Sequence, residues 1–437
     1  MATIKAFKAI RYSASHGNDL SAVVAPPYDV LDEGGKAALL SRSPRNIVGI
    51  DLPYLPPKTV GPDEVYEKAA ATLSAWLEEG VLATDDAESI YAYTQVFTHR
   101  GREYKRRGFF ALVKLEPFNT PAEPTSVVPH EQTYASAIED RLKLTRATRV
   151  QLSPIFGLFP DPQGAVNDAV YGKLGAPLVS ATLDGVVSQL WRVTDVGIQQ
   201  TVIDAMKSKK VYIADGHHRY TMALAYQKEQ QEKAGGALPA DHPANYCLFV
   251  LLSMHDAGCV ILPTHRVVGG LKSFDLATLK AKLADTFAIE ESTFTRDQIA
   301  AFEESLAREA TTVFGLYEGK SKKLYTLKPT RPDVLKEFEP DRSAAWRSLD
   351  VAILRRYLLD QIIVPTFGGS DLKLAYTADA EQVPAMTDGE QYPIAVLLRP
   401  TPLKALEDLG EHGEVMPQKS TYFFPKLATG LVINPVA

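Results

Sequence analysis

The chain has 437 residues, of which 45% are hydrophobic, 23% charged and 9% aromatic, and its formal net charge is −6. This composition excludes extensive disorder, and the acidic balance argues against a protein that coats duplex DNA, because such proteins present a basic surface. The first residues lack the apolar stretch of a secretory signal, and no apolar run approaches the roughly 20 residues that span a bilayer. We therefore expect a cytoplasmic protein with no membrane or DNA partner.

Helical and extended patterns alternate along the first half of the chain. Apolar residues at helical spacing predict a helix from Pro62 to Gly80, with acidic residues in its first turn, where the helix dipole favours them. Two alternating runs around Gly101 predict a hairpin with a basic end that either is solvated or faces phosphate. That end holds Arg100, Arg102, Lys105, Arg106 and Arg107. Further elements expected are a helix at 136–149, a strand at 155–159, a hairpin turning at Asp184–Gly185 and a helix at 196–206.

The second half continues with strands expected at 211–214, 246–253 and 259–262 and at the run IAVLLRP, and with helices expected from Arg219 and over 346–359. This mixture predicts an α+β fold of mixed sheets with helices. We expect three parts, namely an N-terminal α+β region over 1–120, a core over 121–268, and a C-terminal α+β region over 269–437 that includes MPQKSTYFFPK.

The run ADGHHR sets a dense polar cluster between a predicted strand and a predicted helix; it contains Asp215, Gly216, His217, His218 and Arg219. The first N–H groups of a helix are unpaired and carry about half a positive charge, so such a turn is a natural seat for phosphate. Gly216 lets the backbone approach a ligand closely. A metal or a hydrogen-bond network would also use this cluster, and the alternative is a plain helix start capped by Asp215 with both histidines exposed.

A second polar motif, PHEQT, contains His130 and Glu131 just before a predicted helix. A carboxylate beside a bound hydroxyl accepts its proton as that hydroxyl attacks phosphate, which makes Glu131 the best general-base candidate. The neighbouring His130 is assigned to substrate binding. The alternative for Glu131 is a structural pair with an arginine.

Two loops are further candidates for binding. The run VVAPPYDVL fixes its backbone with two prolines and displays Tyr28 and Asp29, either to line a substrate pocket or as a rigid loop without a ligand. The Pro-bounded run MPQKSTYFFPK is either a surface loop or a set of phosphate donors, namely Lys419, Ser420, Thr421 and Lys426.

The other reactive side chains predict no further site. Cys247 and Cys259 lie in or beside apolar runs without metal spacing and are expected to be buried thiols. His265 and Arg266 end a predicted strand and are assigned to stability. The sequence has no H-E-x-x-H motif and no Walker-type phosphate loop, which argues against a common zinc hydrolase or P-loop enzyme.

The strand–DGHHR–helix unit resembles the nucleotide-binding motif of the ParB/sulfiredoxin superfamily, in which a glycine and an arginine occupy matching positions. This resemblance implies a ParB/sulfiredoxin-like core over 121–268. A second resemblance covers nearly the whole chain, to a bacterial and archaeal family known as domain of unknown function 1015. It is carried by APPYDV, HEQT, SPIFGLF, ADGHHRY, ILPTHR and MPQKSTYFFPKLATGLV.

Three activities of the superfamily compete for the motif. Sulfiredoxins need a nucleophilic cysteine where this chain has His217, and ParB proteins carry a helix-turn-helix region that is not found here. The resemblance therefore favours the free serine kinases, which are much shorter and leave the first hundred and the last hundred and fifty residues without an aligned counterpart. It implies Asp215 as a magnesium ligand or phosphate-side acid and Glu131 as the base.

The resemblance thus implies a phosphotransferase for a small hydroxyl metabolite, with free L-serine as the leading acceptor. The donor is ATP, ADP or pyrophosphate with Mg²⁺, and the same site would also run in reverse on phosphoserine. A nucleotide-binding regulator with little turnover is the alternative. The predicted catalytic residues are Glu131, Asp215 and His217; the phosphate-binding residues are Gly216, His218, Arg219, Lys419, Ser420 and Thr421; the substrate-binding residues are Tyr28, Asp29 and His130.

Overall fold

The structure is a computed structural model that describes residues 2–118, 123–387 and 391–437. The chain forms two compact units, the first built from Met1–Val260 and Pro425–Ala437 and the second from Ile261–Phe424. The expected boundary between residues 120 and 121 lies outside the described residues. Both units combine helices with sheets, so the α+β class is confirmed.

The elements alternate along the chain. The strands are β1 (Ile4–Lys5), β2 (Ile10–Tyr12), β3 (Leu82–Thr84), β4 (Ile90–His99), β5 (Arg102–Lys114), β6 (Val127–Val128), β7 (Val150–Gln151), β8 (Ile155–Phe159), β9 (Val179–Leu183), β10 (Val186–Val193), β11 (Val211–Asp215), β12 (Tyr246–Ser253), β13 (Val260–Leu262), β14 (His265–Leu271), β15 (Phe287–Glu291), β16 (Phe314–Glu318), β17 (Lys323–Pro329), β18 (Gly368–Thr377), β19 (Ile394–Leu397), β20 (Tyr422–Phe424) and β21 (Asn434–Pro435). The α-helices are α1 (Glu33–Arg42), α2 (Val48–Asp51), α3 (Asp63–Glu78), α4 (Ala135–Thr148), α5 (Ala165–Tyr171), α6 (Val196–Met206), α7 (His217–Ala234), α8 (Leu276–Leu283), α9 (Ile299–Ala307), α10 (Ala344–Arg347), α11 (Asp350–Ile353), α12 (Val364–Phe367), α13 (Val383–Met386) and α14 (Leu403–His412). Within the described part of the chain, none of these helices has both the length and the apolar character needed to cross a membrane.

The first unit is built on one large mixed sheet with the strand order β6-β11-β8-β12-β5-β4-β10-β9, and β1 also pairs with β5. Neighbouring strands are antiparallel except for β11 with β6 and β12 with β8. The two predicted hairpins are confirmed, and Arg100–Gly101 and Asp184–Gly185 at their tips all have positive φ, as a type I′ turn requires. This sheet carries the elements of the candidate site on β8 and β11.

The core of the first unit anchors helix α7 to the sheet. Tyr220 on α7 is fully buried, its ring lies 6.1 Å from that of Phe249 on β12, and its hydroxyl donates to the Glu116 carbonyl at 2.8 Å. Phe109 and Phe159 meet edge to face beside it at 6.1 Å. Burial of rings of this size stabilises a core by about 1.5–3 kcal/mol each, so the start of α7 is held in a fixed position.

The second unit contains a fully antiparallel sheet with the order β15-β17-β16-β19-β14-β18. The helix predicted over 346–359 is only partly right, because α10 ends at Arg347 and the chain resumes as α11 and then as a π-helix over Leu354–Ile363. His265 on β14 is fully buried and accepts a hydrogen bond from the Leu398 N–H at 3.2 Å, a contact that supports the structural assignment of this residue.

We expect Gly157→Ala to destabilise the first unit, because a Cβ at this position of β8 would lie 2.8 Å from the Phe249 ring and 2.9 Å from Val211. Overpacking of this kind costs about 1–3 kcal/mol. Gly175→Ala is the control, since its Cβ would meet no atom within 4 Å. Urea unfolding of both variants measures the difference, and equal stabilities would contradict the close packing at Gly157.

Candidate functional site

A β-bulge positions Asp215 at the end of β11. Ile213 pairs with Gly157 of β8 and Asp215 pairs with Phe156, so Ala214 is the extra residue between them. Bulges re-aim the side chains that follow them. Gly216 then takes φ 97° as the N-cap, and α7 begins at His217. The predicted exit turn over 215–218 is therefore shorter than expected, since strand and helix are separated by a single glycine.

The Asp215 carboxylate is held between two cations. The Arg219 guanidinium donates to Oδ2 at 2.6 Å, and the Lys426 ammonium donates to Oδ1 at 2.5 Å. About one fifth of the Asp215 and Lys426 side chains is exposed. Burial alone would raise the pKa of Asp215, but the charges of Lys426 and Arg219 outweigh it and hold that pKa far below its usual range. Asp215 is therefore an anion throughout the physiological range.

The Arg219 side chain is held in place by contacts within the first unit. It is buried, and its Nη1 donates to the Pro154 carbonyl just before β8. Burial lowers its pKa, but the charges of Asp215, Asp29, Tyr28 and Asp51 together outweigh burial, and the pKa is raised. A Cβ at Gly216 would lie 3.0 Å from this guanidinium, so the glycine is required both by its positive φ and by the closeness of Arg219.

The loop that carries PHEQT lies against the turn through two backbone contacts. The His130 N–H donates to His217 Nε2, and the Tyr134 N–H donates to His218 Nε2, both at 3.1 Å. The Tyr134 and His218 rings also stack, with centroids 5.7 Å apart and an interplanar angle of 12°. Both histidines of the turn thus accept from this loop, which brings two segments that are distant in sequence to one place.

These contacts fix the protonation of two buried histidines. His130 Nδ1 lies 2.6 Å from the Ile213 carbonyl, which only accepts, so Nδ1 carries the proton. His217 accepts at Nε2, so its proton is on Nδ1. Burial lowers the pKa of His130 and lowers that of His217 well below its ordinary value. His217 is therefore a neutral N–H donor rather than a cation.

Glu131 is half-buried between the two backbone contacts. Its negative charge and that of Asp215 both act on the His130 imidazole, where each partly opposes the lowering of the pKa by burial. The predicted base and the predicted phosphate-side acid thus lie within electrostatic reach of one side chain. Their catalytic roles stay predictions.

The predicted substrate-binding residues Tyr28 and Asp29 lie near Arg219. Both contribute to the raised pKa of that arginine. Tyr28 is buried, with the Arg141 guanidinium 3.9 Å from its ring centroid, and Asp29 lies 3.2 Å from the Lys58 ammonium. Tyr28 also lines a cavity together with Arg141 and Arg219.

A buried ionic network beside this cavity was not predicted. Arg141 on α4 donates to Asp140 Oδ2 at 2.7 Å and to the Asp51 carbonyl at 2.5 Å, while Ser153 donates to Asp51 Oδ2 at 2.8 Å. Burial raises the pKa of Asp51. The cavity encloses about 30 Å³, room for roughly two water molecules. The sequence held one signal for this network, since Arg141 falls on the apolar stripe of α4 four residues after Ala137.

Lys419, Ser420 and Thr421 belong to the second unit. Lys419 is exposed and its carbonyl accepts from Arg266 at 2.9 Å, while Ser420 is buried and its hydroxyl donates to the Pro417 carbonyl. Arg266 thus supports this loop, as the structural assignment of Arg266 suggests. The phosphate-binding role of the three loop residues stays a prediction.

Asp215 is the residue predicted to bind magnesium. Within the described ranges, no group of three or more His, Cys, Asp or Glu side chains is placed to hold a metal ion. Mg²⁺ is commonly held by one or two carboxylates together with substrate phosphates. Asp215 fits the predicted role of a single magnesium ligand only where Lys426 no longer holds Oδ1, and this role stays a prediction.

The sequence matches the family described as "Protein of unknown function (DUF1015)" over residues 4–352, and the chain belongs to this family. No curated protein matches it.

Three solved structures are similar to parts of the chain. A free serine kinase in complex with AMP is 15% identical, with a TM-score of 0.33, and the match covers 70% of this chain and 89% of that one. SbnI with a C-terminal truncation from Staphylococcus aureus is 14% identical, with a TM-score of 0.34 and coverage of 74% and 87%. A conserved hypothetical protein from Pyrococcus furiosus is 16% identical, with a TM-score of 0.30 and coverage of 70% and 92%. At these identities and TM-scores none of them is evidence for the activity of this chain.

We expect His217→Gln to reduce the decrease in the free energy of unfolding that occurs as pH falls. Because the folded-state pKa of His217 is lowered, its contribution is complete above the unfolded pKa of about 6.5 and is lost as pH falls below it. Each such histidine contributes a slope of up to about 1.4 kcal/mol per pH unit. Between pH 7.5 and 5.5 the variant should therefore lose about 1 kcal/mol less than the wild type in urea unfolding.

Gly175→Ala is again the control, because it changes no titratable group and its Cβ would meet no atom within 4 Å, so it should follow the wild-type pH dependence. An unchanged slope in His217→Gln would show that His217 is not held neutral in the folded protein.

Proposed function

We propose that the chain is a cytoplasmic phosphotransferase that transfers phosphate to a small hydroxyl metabolite, with free L-serine as the leading acceptor. The observation that carries this proposal is the pair of hydrogen bonds from the PHEQT loop to His217 and His218. These contacts support the proposal that the base Glu131 lies beside the site that binds phosphate. The ParB/sulfiredoxin-like core belongs to the same proposal.

The phosphate seat combines three kinds of donor. Helix α7 presents its first N–H groups behind Gly216, and the helix dipole favours an anion there. His217 adds a neutral N–H at Nδ1, and Arg219 adds a buried positive charge. Donors of this kind bind the charged oxygens of phosphate strongly when water is largely excluded. In the proposal His218, Lys419, Ser420 and Thr421 also bind phosphate.

The transfer then uses Glu131 as the base. As the acceptor hydroxyl oxygen forms its bond to the terminal phosphorus of the donor, its proton passes to the Glu131 carboxylate. The bond from that phosphorus to the leaving phosphate oxygen breaks, and the leaving oxygen keeps the electron pair. The cationic turn stabilises the charge on this oxygen, and Mg²⁺ bound with the donor would neutralise further phosphate charge. The same groups serve the reverse reaction on phosphoserine.

We propose the class of the phosphate donor, a compound with a diphosphate unit, and not a single compound. ATP, ADP and pyrophosphate share a diphosphate unit, and the turn recognises phosphate rather than a base. A screen of these three donors with L-serine and Mg²⁺, followed by detection of phosphoserine, tests the proposal.

We expect Glu131→Gln to reduce the turnover of the active donor pair by about 10²–10⁴-fold, because this substitution keeps the shape of the side chain but removes the proton acceptor. Donor binding, measured by calorimetry, should stay close to that of the wild type. The matched control is Glu139→Gln on the exposed face of α4, where Glu139 pairs with Arg146 at 3.0 Å. Its turnover should be unchanged.

Full turnover in Glu131→Gln would remove Glu131 from the role of base. If the wild type binds a donor tightly but no serine-like hydroxyl metabolite gains phosphate, the nucleotide-binding regulator replaces the enzyme.

A further inference from the structure

Lys426 reaches the turn from the other end of the first unit. It lies 211 positions after Asp215, and its ammonium is 2.5 Å from Asp215 Oδ1. About one fifth of its side chain is exposed, so the ammonium remains within reach of a ligand from solution.

The backbone around Lys426 is fixed by a buried arginine. Arg106 on β5 donates to the Pro425 carbonyl at 2.6 Å and also to the Gln95 side chain, and Gln95 donates to the Lys426 carbonyl at 3.0 Å. Arg106 is 3% exposed, and burial lowers its pKa to about 10. Burying a guanidinium costs free energy, and Arg106 bears this cost while it holds the Pro425–Lys426 peptide in place. A surface ion pair would not need such support.

Two cations contact the Asp215 carboxylate at the turn. Asp215 supplies one negative charge, whereas Arg219 and Lys426 supply two positive charges. The two neighbouring buried histidines are neutral, because burial lowers the pKa of both. Asp29 and Asp51 also act on Arg219, and both cations lie beside the N-terminus of α7, where an anion is favoured.

We propose that Lys426 is a phosphate-binding residue that exchanges Asp215 for the phosphate of the donor. Before the donor binds, Lys426 neutralises Asp215 and keeps the site folded. When phosphate arrives, the ammonium moves to its oxygens, and Oδ1 of Asp215 becomes open to magnesium carried by the donor or to the acceptor. This inference rests on the proposed function and adds a residue to the same site.

Calorimetric titration with pyrophosphate in EDTA tests the exchange directly. Lys426→Met should weaken binding by about 10- to 100-fold, the usual effect of one charge-assisted hydrogen bond. Lys426→Arg should recover part of the loss. Lys207→Met is the control, because Lys207 forms an exposed pair with Asp204 at 2.7 Å at the end of α6 and should bind pyrophosphate like the wild type.

A double-mutant cycle with Asp215→Asn gives a readout that a purely structural lysine would not produce. Asp215→Asn releases Lys426 from its counter-ion and should tighten magnesium-free pyrophosphate binding. The gain should be smaller in Asp215→Asn/Lys426→Met, because only the share that comes from the freed ammonium is lost, whereas release of Arg219 is common to both variants. The measurement on Asp215→Asn remains informative even if Lys426→Met alone folds poorly, because Asp215→Asn retains the lysine.

Wild-type affinity in Lys426→Met, or a gain of the same size with and without Lys426, would overturn the exchange and leave the proposed function standing. Absence of pyrophosphate binding by the wild type would overturn both. A protein that binds pyrophosphate through Lys426 but phosphorylates no acceptor would support the exchange and refute the kinase activity.

Discussion

The candidate site depends on one carboxylate held between two cations. Asp215 follows a bulge in β11, and it can stay ionised in a largely buried place only because Arg219 and Lys426 contact its two oxygens. Removing either partner would leave a charge poorly compensated. The remaining parts of the site follow from this arrangement, since the arginine fixes the start of α7 against the Pro154 carbonyl and the lysine ties the C-terminal segment to the same turn.

At this turn the histidines supply hydrogen bonds and the cations supply positive charge. Burial keeps His130 and His217 neutral, so they can accept and donate hydrogen bonds without adding charge. The positive charge is left to groups that carry it at any physiological pH, as Arg219 does. A site of this kind can hold an anion over a broad pH range, while the loop that carries Glu131 stays attached through contacts that do not depend on protonated imidazole.

Local patterns predicted much of this structure, and long-range contacts account for what they missed. The strand–glycine–helix unit at Gly216, the hairpin at Asp184–Gly185 and the helix at Val196–Met206 follow from periodicity and turn chemistry within a few residues. The partner of Asp215 could not be found in this way, because Lys426 meets it only through tertiary folding. Arg106 is predicted to lie in a hairpin end that is solvated or faces phosphate, but it is buried against the Pro425 carbonyl. Local patterns could not reveal this, because Pro425 is 319 positions away.

We propose that the turn at 215–219 binds the phosphate of a donor while Glu131 faces the acceptor. A crystal structure of the protein with ADP, Mg²⁺ and L-serine tests it most directly. The account predicts phosphate oxygens within hydrogen-bond distance of the first N–H groups of α7 and of Lys426, with the serine hydroxyl beside the Glu131 carboxylate. Nucleotide bound elsewhere, with the Asp215–Lys426 pair intact and Glu131 remote from serine, would contradict it.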